Sequence, residues 1–349
     1  MWIITSKHAA RTGAQIVRQV TNFADDLGEG LVQATKVFLN DQDNKKNARS
    51  LKIAILGLPN VGKSTFINHL IGRPICAASS KIHTTRSKAT AVFCSGDTQL
   101  VFLDTPGLVG RGEVKKYKLE SSFQTDAQNS MEEADVIGVI QDMSNVKHRE
   151  SIDTKIIDLL KLSRETSNSV LILNKIDLMK NRKLLLQIVR KLTDKDVWPN
   201  FSDVFMISAL TGDGVDEVRS YFLDTAKFKN WDYDQNTYTD QAPDVLAQRI
   251  VKARILDNLP QEMPYLIQVY VDNIETLADG SMDILVNALC PTTRVARAVI
   301  GNSGLRIRKV AQEAEQELCA AFQTAVRLKI AIPIREVEGS LRKKRQSRL

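Results

Sequence analysis

At 349 residues the chain is long enough for two domains, each with its own core. An apolar fraction of 43% and a charged fraction of 26% exclude a disordered or fibrous chain, and no apolar run reaches the length of an integral membrane segment. The net charge of +7 points to an anionic partner, RNA or a membrane surface approached peripherally.

Residues 1–50 carry no nucleotide motif. Lys7, Arg11 and Arg18 are basic and no acid precedes Asp25, while Ile16, Val20, Phe23, Leu27 and Leu31 recur at helical spacing. A basic, acid-poor, amphipathic start has the composition of an organelle transit peptide; a plain amphipathic helix is the alternative. Residues 41–50 are polar and read as a linker. From residue 51 apolar strand candidates follow at 52–56, 89–94, 100–104, 136–142, 170–174 and 203–208, with helical stretches at 152–162, 184–192 and 215–225. This alternation predicts an α/β domain over 51–228 with a mostly parallel sheet, whose ligands gather at the carboxyl ends of the strands.

The residues at those ends carry the chemistry. Gly57, Leu58, Pro59, Asn60, Val61, Gly62, Lys63 and Ser64 fit the phosphate-cradling pattern G-x-x-x-x-G-K-[ST], between a strand and a helix. Backbone N–H groups and a positive helix end would face a polyphosphate there. Lys63 would reach the β- and γ-phosphates, and the Ser64 hydroxyl, next to Thr65, would ligate Mg²⁺. Asp104 closes the strand 100–104 and would hold Mg²⁺ through a water, and Gly107 would offer its N–H to the γ-phosphate. Between them lie Thr84 and Thr85. Thr85 is the choice to complete the Mg²⁺ shell when a γ-phosphate is present, as an order–disorder switch. Asn174, Lys175 and Asp177 close the strand 170–174. A carboxylate there accepts from the ring N–H and exocyclic amine of guanine, a pattern adenine does not offer. Asn174 would tie the loop together and Lys175 would lay its stem over the ring. Ser208, Ala209 and Leu210 fit a last base-contacting loop, with the Ala209 N–H toward the guanine oxygen.

This ordered set resembles the translation-factor-related GTPases and, within them, the Era family, most nearly its mitochondrial branch. The resemblance covers roughly residues 51–335. Leu108 stands where Ras-like enzymes place the Gln that orients the attacking water, so the set contains no residue for that task. In related enzymes an Asn at the Asn60 position binds K⁺, which would supply positive charge here. The segment 110–131 reads as a solvated, salt-bridged helical face.

Residues 229–241, polar with Trp231, Tyr233 and Tyr238, read as an interdomain linker. Beyond them Leu246, Ile250, Ala253 and Leu256 mark a helix. Strands around Val269 and Ile284 are joined by a turn at Asp279-Gly280. Gly301, Asn302, Ser303 and Gly304 then lead into a helix carrying Val310, Ala314 and Leu318, followed by a strand around Leu328. The order over 242–335 resembles the α+β KH-like domain (type II) that ends Era proteins. In it a GxxG turn lets a nucleic-acid backbone cross two helix ends. Arg294, Arg297, Arg306, Arg308 and Lys309 form a basic rim. The basic tail 336–349 is either a phosphate clamp or a solvated end.

The resemblance implies a GTP-hydrolysing, RNA-binding switch acting on small-subunit ribosomal RNA in ribosome assembly, with Mg²⁺ beside GTP or GDP. A transit peptide would place it in the mitochondrial matrix, with peripheral contact on the inner membrane as a further option. Without one it would be cytoplasmic. The alternative is an RNA chaperone or scaffold in which nucleotide is structural and hydrolysis negligible. A membrane-acting GTPase would need an anchor or stalk, and neither is found. Cys76, Cys94, Cys290 and Cys319 show no zinc spacing and read as reduced thiols.

Overall fold

A computed structural model describes residues 47–79, 81, 89–105, 122–162, 168–179, 181–194, 201–260 and 263–335. The N-terminal segment, Thr84, Thr85, Gly107, Leu108 and the tail lie outside the described residues. The first unit is a seven-stranded sheet. Its strands are β1 (Arg49–Leu56), β2 (Ala89–Ser95), β3 (Thr98–Asp104), β4 (Val136–Asp142), β5 (Asn168–Asn174), β6 (Phe201–Met206) and β7 (Lys227–Phe228). The order is β2-β3-β1-β4-β5-β6, with β7 antiparallel to the start of β1. The pairs β1–β3, β1–β4, β4–β5 and β5–β6 are parallel, and β2 returns antiparallel on β3.

Strands buried on both faces must be apolar without interruption, and β5 shows how the two faces divide. Val170 and Ile172 point into one core with Phe66 and Leu70 of helix α1 (Lys63–Ile71) and Phe222 of helix α5 (Val215–Thr225). Leu171 and Leu173 point into the other, with Met131 of α2 (Ser122–Glu133), Ile156 of α3 (Thr154–Leu162) and Ile188 of α4 (Leu185–Leu192). Phe102 meets Phe222 edge-on at 6.0 Å between ring centroids. The strand expected at 203–208 lies two residues earlier, because residues after Met206 turn to form the loop above the sheet.

The polar stretch 229–241 is not a loose tether. It runs along the sheet, with the Val92 N–H donating to the Tyr238 carbonyl and the Thr90 N–H to Asp240. The Trp231 ring N–H donates to the Asp97 carbonyl, and the Gln99 side chain accepts from the Asp232 and Tyr233 N–H groups. The stretch satisfies the free edge of β2 and the polar groups of Asp97 and Gln99 beside it.

The second unit has helix α6 (Pro243–Asn258), strands β8 (Gln268–Thr276) and β9 (Met282–Leu289), helices α7 (Thr293–Ile300) and α8 (Leu305–Phe322), and strand β10 (Val326–Ala331). The sheet order is β10-β9-β8, β9 antiparallel to β8 and parallel to β10. One face packs on α6 and α8 through Ile250, Ile284, Val286, Val310, Ala314 and Leu318. Gly280 supplies the positive φ (82°) of the β8–β9 turn. This helix–strand–strand–helix–helix–strand order is consistent with a KH domain.

Candidate functional site

Three loops converge above the carboxyl ends of β1, β5 and β6, beside Asp104 at the end of β3. The loop 57–62 bends back through positive φ at Asn60 (60°) and Gly62 (100°). A Cβ on Gly62 would stand 2.4 Å from Asn174 Nδ2, and one on Gly57 would stand 2.7 Å from the Ile140 carbonyl oxygen. Both glycines are therefore required by close approach, not by flexibility. The loop delivers Lys63, Ser64 and Thr65 to the first turn of α1. Pro59 is half-buried and Asn60 exposed, while Val61 anchors the loop in the core.

Lys63 is buried, and its ammonium donates to the carbonyls of Gly57 (3.2 Å) and Leu58 (3.0 Å). Burial lowers its pKa from 10.5 to about 8, with the Asp104 charge opposing. Ser64 Oγ donates to Asp104 Oδ2 at 2.9 Å. Burial holds the Asp104 carboxyl above its usual range, against the pull of Lys63 and of the Ser64 hydroxyl. Asp104 Oδ1 is buried with no hydrogen-bond partner among the described residues. A hydroxyl against a carboxylate with an orphaned oxygen is a hard-oxygen donor set, which fits Mg²⁺. Two neighbours were not expected from the sequence. The Cys76 thiol lies against this carboxylate, and Arg249 of α6 lies near enough to act on it electrostatically.

Asn174 is the hub of the base end. Its Nδ2 donates to the Val61 carbonyl at 2.8 Å, and its Oδ1 accepts from the N–H groups of Lys175 (2.8 Å) and Ala209 (2.9 Å). One buried amide thus joins the phosphate loop, the loop after β5 and the loop after β6. The Ala209 N–H, expected to face the guanine oxygen, is engaged with Asn174 instead. A base contact would have to share it. Lys175 has a positive φ (66°), and its ammonium bonds the Asn60 carbonyl (2.7 Å) and Asp142 (2.6 Å). Asp142 ends β4 at the carboxyl side of a strand the sequence did locate. Asp177 is exposed on a 3₁₀ turn over Ile176–Leu178. Ser208 is buried, its hydroxyl accepting from the Thr211 N–H, and Leu210 is 77% exposed.

These loops enclose a cavity of about 540 Å³. Gly62, Thr65, Asp177 and Leu210 line it, and Arg254 and Asp257 of α6 belong to its wall. A volume of this size suits a nucleotide.

In the second unit Gly301 ends α7 and Gly304 caps α8, so Asn302 and Ser303 are exposed between two helix ends. The rim is less uniform than its charges suggest. Arg306 is half-buried and donates to the Ala298 carbonyl, and Arg308 donates to the Ser303 carbonyl at 2.9 Å. Arg306 therefore holds the turn in place instead of facing outward. Lys309 pairs with Glu313 at 3.6 Å and stays mostly exposed, as do Arg294 and Arg297. Ile300 (38% exposed) and Leu305 (64% exposed) flank the turn as an apolar surface on which a base could rest.

A family model described as a 50S ribosome-binding GTPase matches residues 52–175. The mitochondrial GTPase Era of Danio rerio is 32% identical, over 95% of this chain and 84% of its own length. The GTPase Era of a Bradyrhizobium species is 30% identical, over 82% of this chain and 90% of its own. The fold superposes with a TM-score of 0.70 on a crystal structure of Era in complex with MgGDPNP and nucleotides 1506–1542 of 16S ribosomal RNA. Identity is 26%, covering 86% of this chain and 97% of that one.

Proposed function

The chain belongs to the Era family of GTPases, and from that premise we propose that it binds small-subunit ribosomal RNA and hydrolyses GTP as a switch in assembly of the small ribosomal subunit. The observation that carries the nucleotide reading is the Asn174 hub, since one buried amide ties the phosphate loop to the loops after β5 and β6. The backbone N–H groups of 57–64 and the start of α1 hold the phosphates, and Lys63 exchanges its loop carbonyls for the β- and γ-phosphates. Ser64 and Asp104, with Thr85, would hold Mg²⁺, which would supply positive charge to the phosphate oxygens. Gly107 would contribute an N–H to the γ-phosphate. Asp177 selects guanine, Lys175 covers the ring, and Asn60 is a candidate K⁺ ligand, which would appear as faster turnover in K⁺ than in Na⁺.

RNA would cross the turn Gly301–Gly304, with phosphates toward Arg294, Arg297, Arg308 and Lys309 and bases toward Ile300 and Leu305. Support comes from the Era structure holding both MgGDPNP and a 16S segment, which matches this chain across both units. The 50S description belongs to a family model confined to the nucleotide half, so the choice of subunit rests on the second unit. The mitochondrial name of the Danio rerio relative, together with the acid-poor start of this chain, supports a mitochondrial matrix location. Among the described residues no helix is long and apolar enough to cross a membrane. Crosslinking the full chain to RNA in cells and sequencing the fragment tests the proposal. A small-subunit fragment is expected, and recovery dominated by other RNA would overturn it.

A further inference from the structure

The nucleotide cavity is not built by the first unit alone. A base paired with Asp177 and phosphates seated on 57–64 leave the sugar between them in this cavity. The same cavity is also lined by Ala78 and Ser79, and by Arg254 and Asp257 from the last turns of α6 in the second unit. These groups are tightly organised. Ser79 Oγ donates to Asp257 Oδ1 at 2.8 Å, and Arg254 donates to the Ala78 carbonyl. Arg254 also pairs with Asp257 Oδ2 at 3.4 Å and, through Nε, with Glu317 of α8 at 3.1 Å. Lys81 adds a bond to the Leu259 carbonyl just past α6. Arg254 is thus held on three sides and fixes the direction of the Asp257 carboxylate.

We infer that Asp257 is a nucleotide-specificity residue donated by the C-terminal unit, its carboxylate accepting from a ribose hydroxyl, with Arg254 as its positioning residue. The inference rests on the guanine-nucleotide reading of the cavity and adds the sugar to it. It carries a structural consequence. Glu317 lies on α8, the helix that Gly304 caps at the GxxG turn. A contact from α6 to the sugar therefore links the nucleotide to the helix whose first turn would meet RNA. By linkage, any effect of nucleotide on RNA affinity is matched by an equal effect of RNA on nucleotide affinity.

The test is calorimetric titration of the full chain with GDP and with 2′,3′-dideoxy-GDP, at fixed Mg²⁺ and salt, for the native protein and Asp257→Asn. Asn keeps an acceptor for Ser79 and nearly the same shape. The native chain should bind dideoxy-GDP roughly tenfold more weakly than GDP, the worth of one charge-assisted hydrogen bond. In Asp257→Asn that difference should fall below about twofold. Equal affinities of the native chain for the two nucleotides would overturn the inference without recourse to any variant. An undiminished dideoxy penalty in Asp257→Asn would overturn it too. Both outcomes leave the guanine reading intact as long as GDP binds and ADP does not. Failure to bind GDP at all would remove both.

Discussion

Replacing Asn174 by Ala should cost more nucleotide affinity than its distance from any phosphate suggests. Its amide is 1% exposed and makes three hydrogen bonds, to the Val61 carbonyl and the Lys175 and Ala209 N–H groups. Each buried bond is worth about 1 kcal/mol net, and stranding a buried partner costs about 1–3 kcal/mol. Together these amount to about 3 kcal/mol, or roughly a hundredfold in an equilibrium constant. Most of it should appear in GDP affinity, because the amide holds three surface loops in their binding arrangement. A smaller part should appear as reduced unfolding stability. Asn174→Asp separates the two halves of the argument. It keeps the acceptor for Lys175 and Ala209 but sets an oxygen against the Val61 carbonyl, so it should bind GDP at least as poorly as Asn174→Ala. Calorimetric titration with GDP and urea unfolding measure the two effects. GDP affinity of Asn174→Ala within threefold of native would refute the hub argument.

Four further outcomes follow from individual groups. Lys63 has a folded pKa of about 8 against 10.5. In the free protein GDP affinity should thus fall above pH 8, approaching tenfold per pH unit, while the group's own effect on stability becomes more favourable from about pH 8 to 10.5; flat affinity across pH 7–9.5 would contradict the burial of a charged Lys63. Glu317, raised by burial from 4.5 to about 7 with Arg254 opposing and Asp257 and Glu313 adding, contributes stability that is greatest below about pH 4.5 and is lost as pH rises through 7. Urea unfolding of Glu317→Gln should lose that slope, and an unchanged slope would place the titration elsewhere. Gly301 has φ 70° and ψ −175°, and a Cβ there would meet Arg306 Cβ at 2.6 Å, so Gly301→Ala should unfold the second unit at lower urea. Gly304 (φ 77°, ψ 9°) has nothing nearer than 3.8 Å, so Gly304→Asn should keep the fold and report on RNA contact alone by lowering RNA affinity in a filter-binding assay.

The phosphate loop, Asp104, Asn174 and the GxxG turn were legible because each is a short run whose spacing is itself the chemistry. The strands were legible from uninterrupted apolar runs, as in β5. What escaped has a common physical cause. Arg254 and Asp257 lie nearly two hundred residues from the phosphate loop, on a helix whose apolar positions announce its core face and whose polar ones announce nothing. Asp142 pairs with Lys175 only because β4 and β5 are neighbours in the sheet. Polarity over 229–241 suggested an interdomain linker, yet the stretch bonds along the edge of β2 and holds the Gln99 side chain. The engagement of the Ala209 N–H by Asn174 is likewise a matter of loop packing that no local pattern encodes.

The most direct measurement is multiple-turnover phosphate release from GTP by the full chain in Mg²⁺, with and without a transcript of the small-subunit ribosomal RNA 3′ end. Turnover beyond one equivalent is expected, absent with ATP, abolished in Lys63→Ala, and altered by the transcript. Release that stops at one equivalent under both conditions would contradict it and leave a scaffold carrying a structural nucleotide.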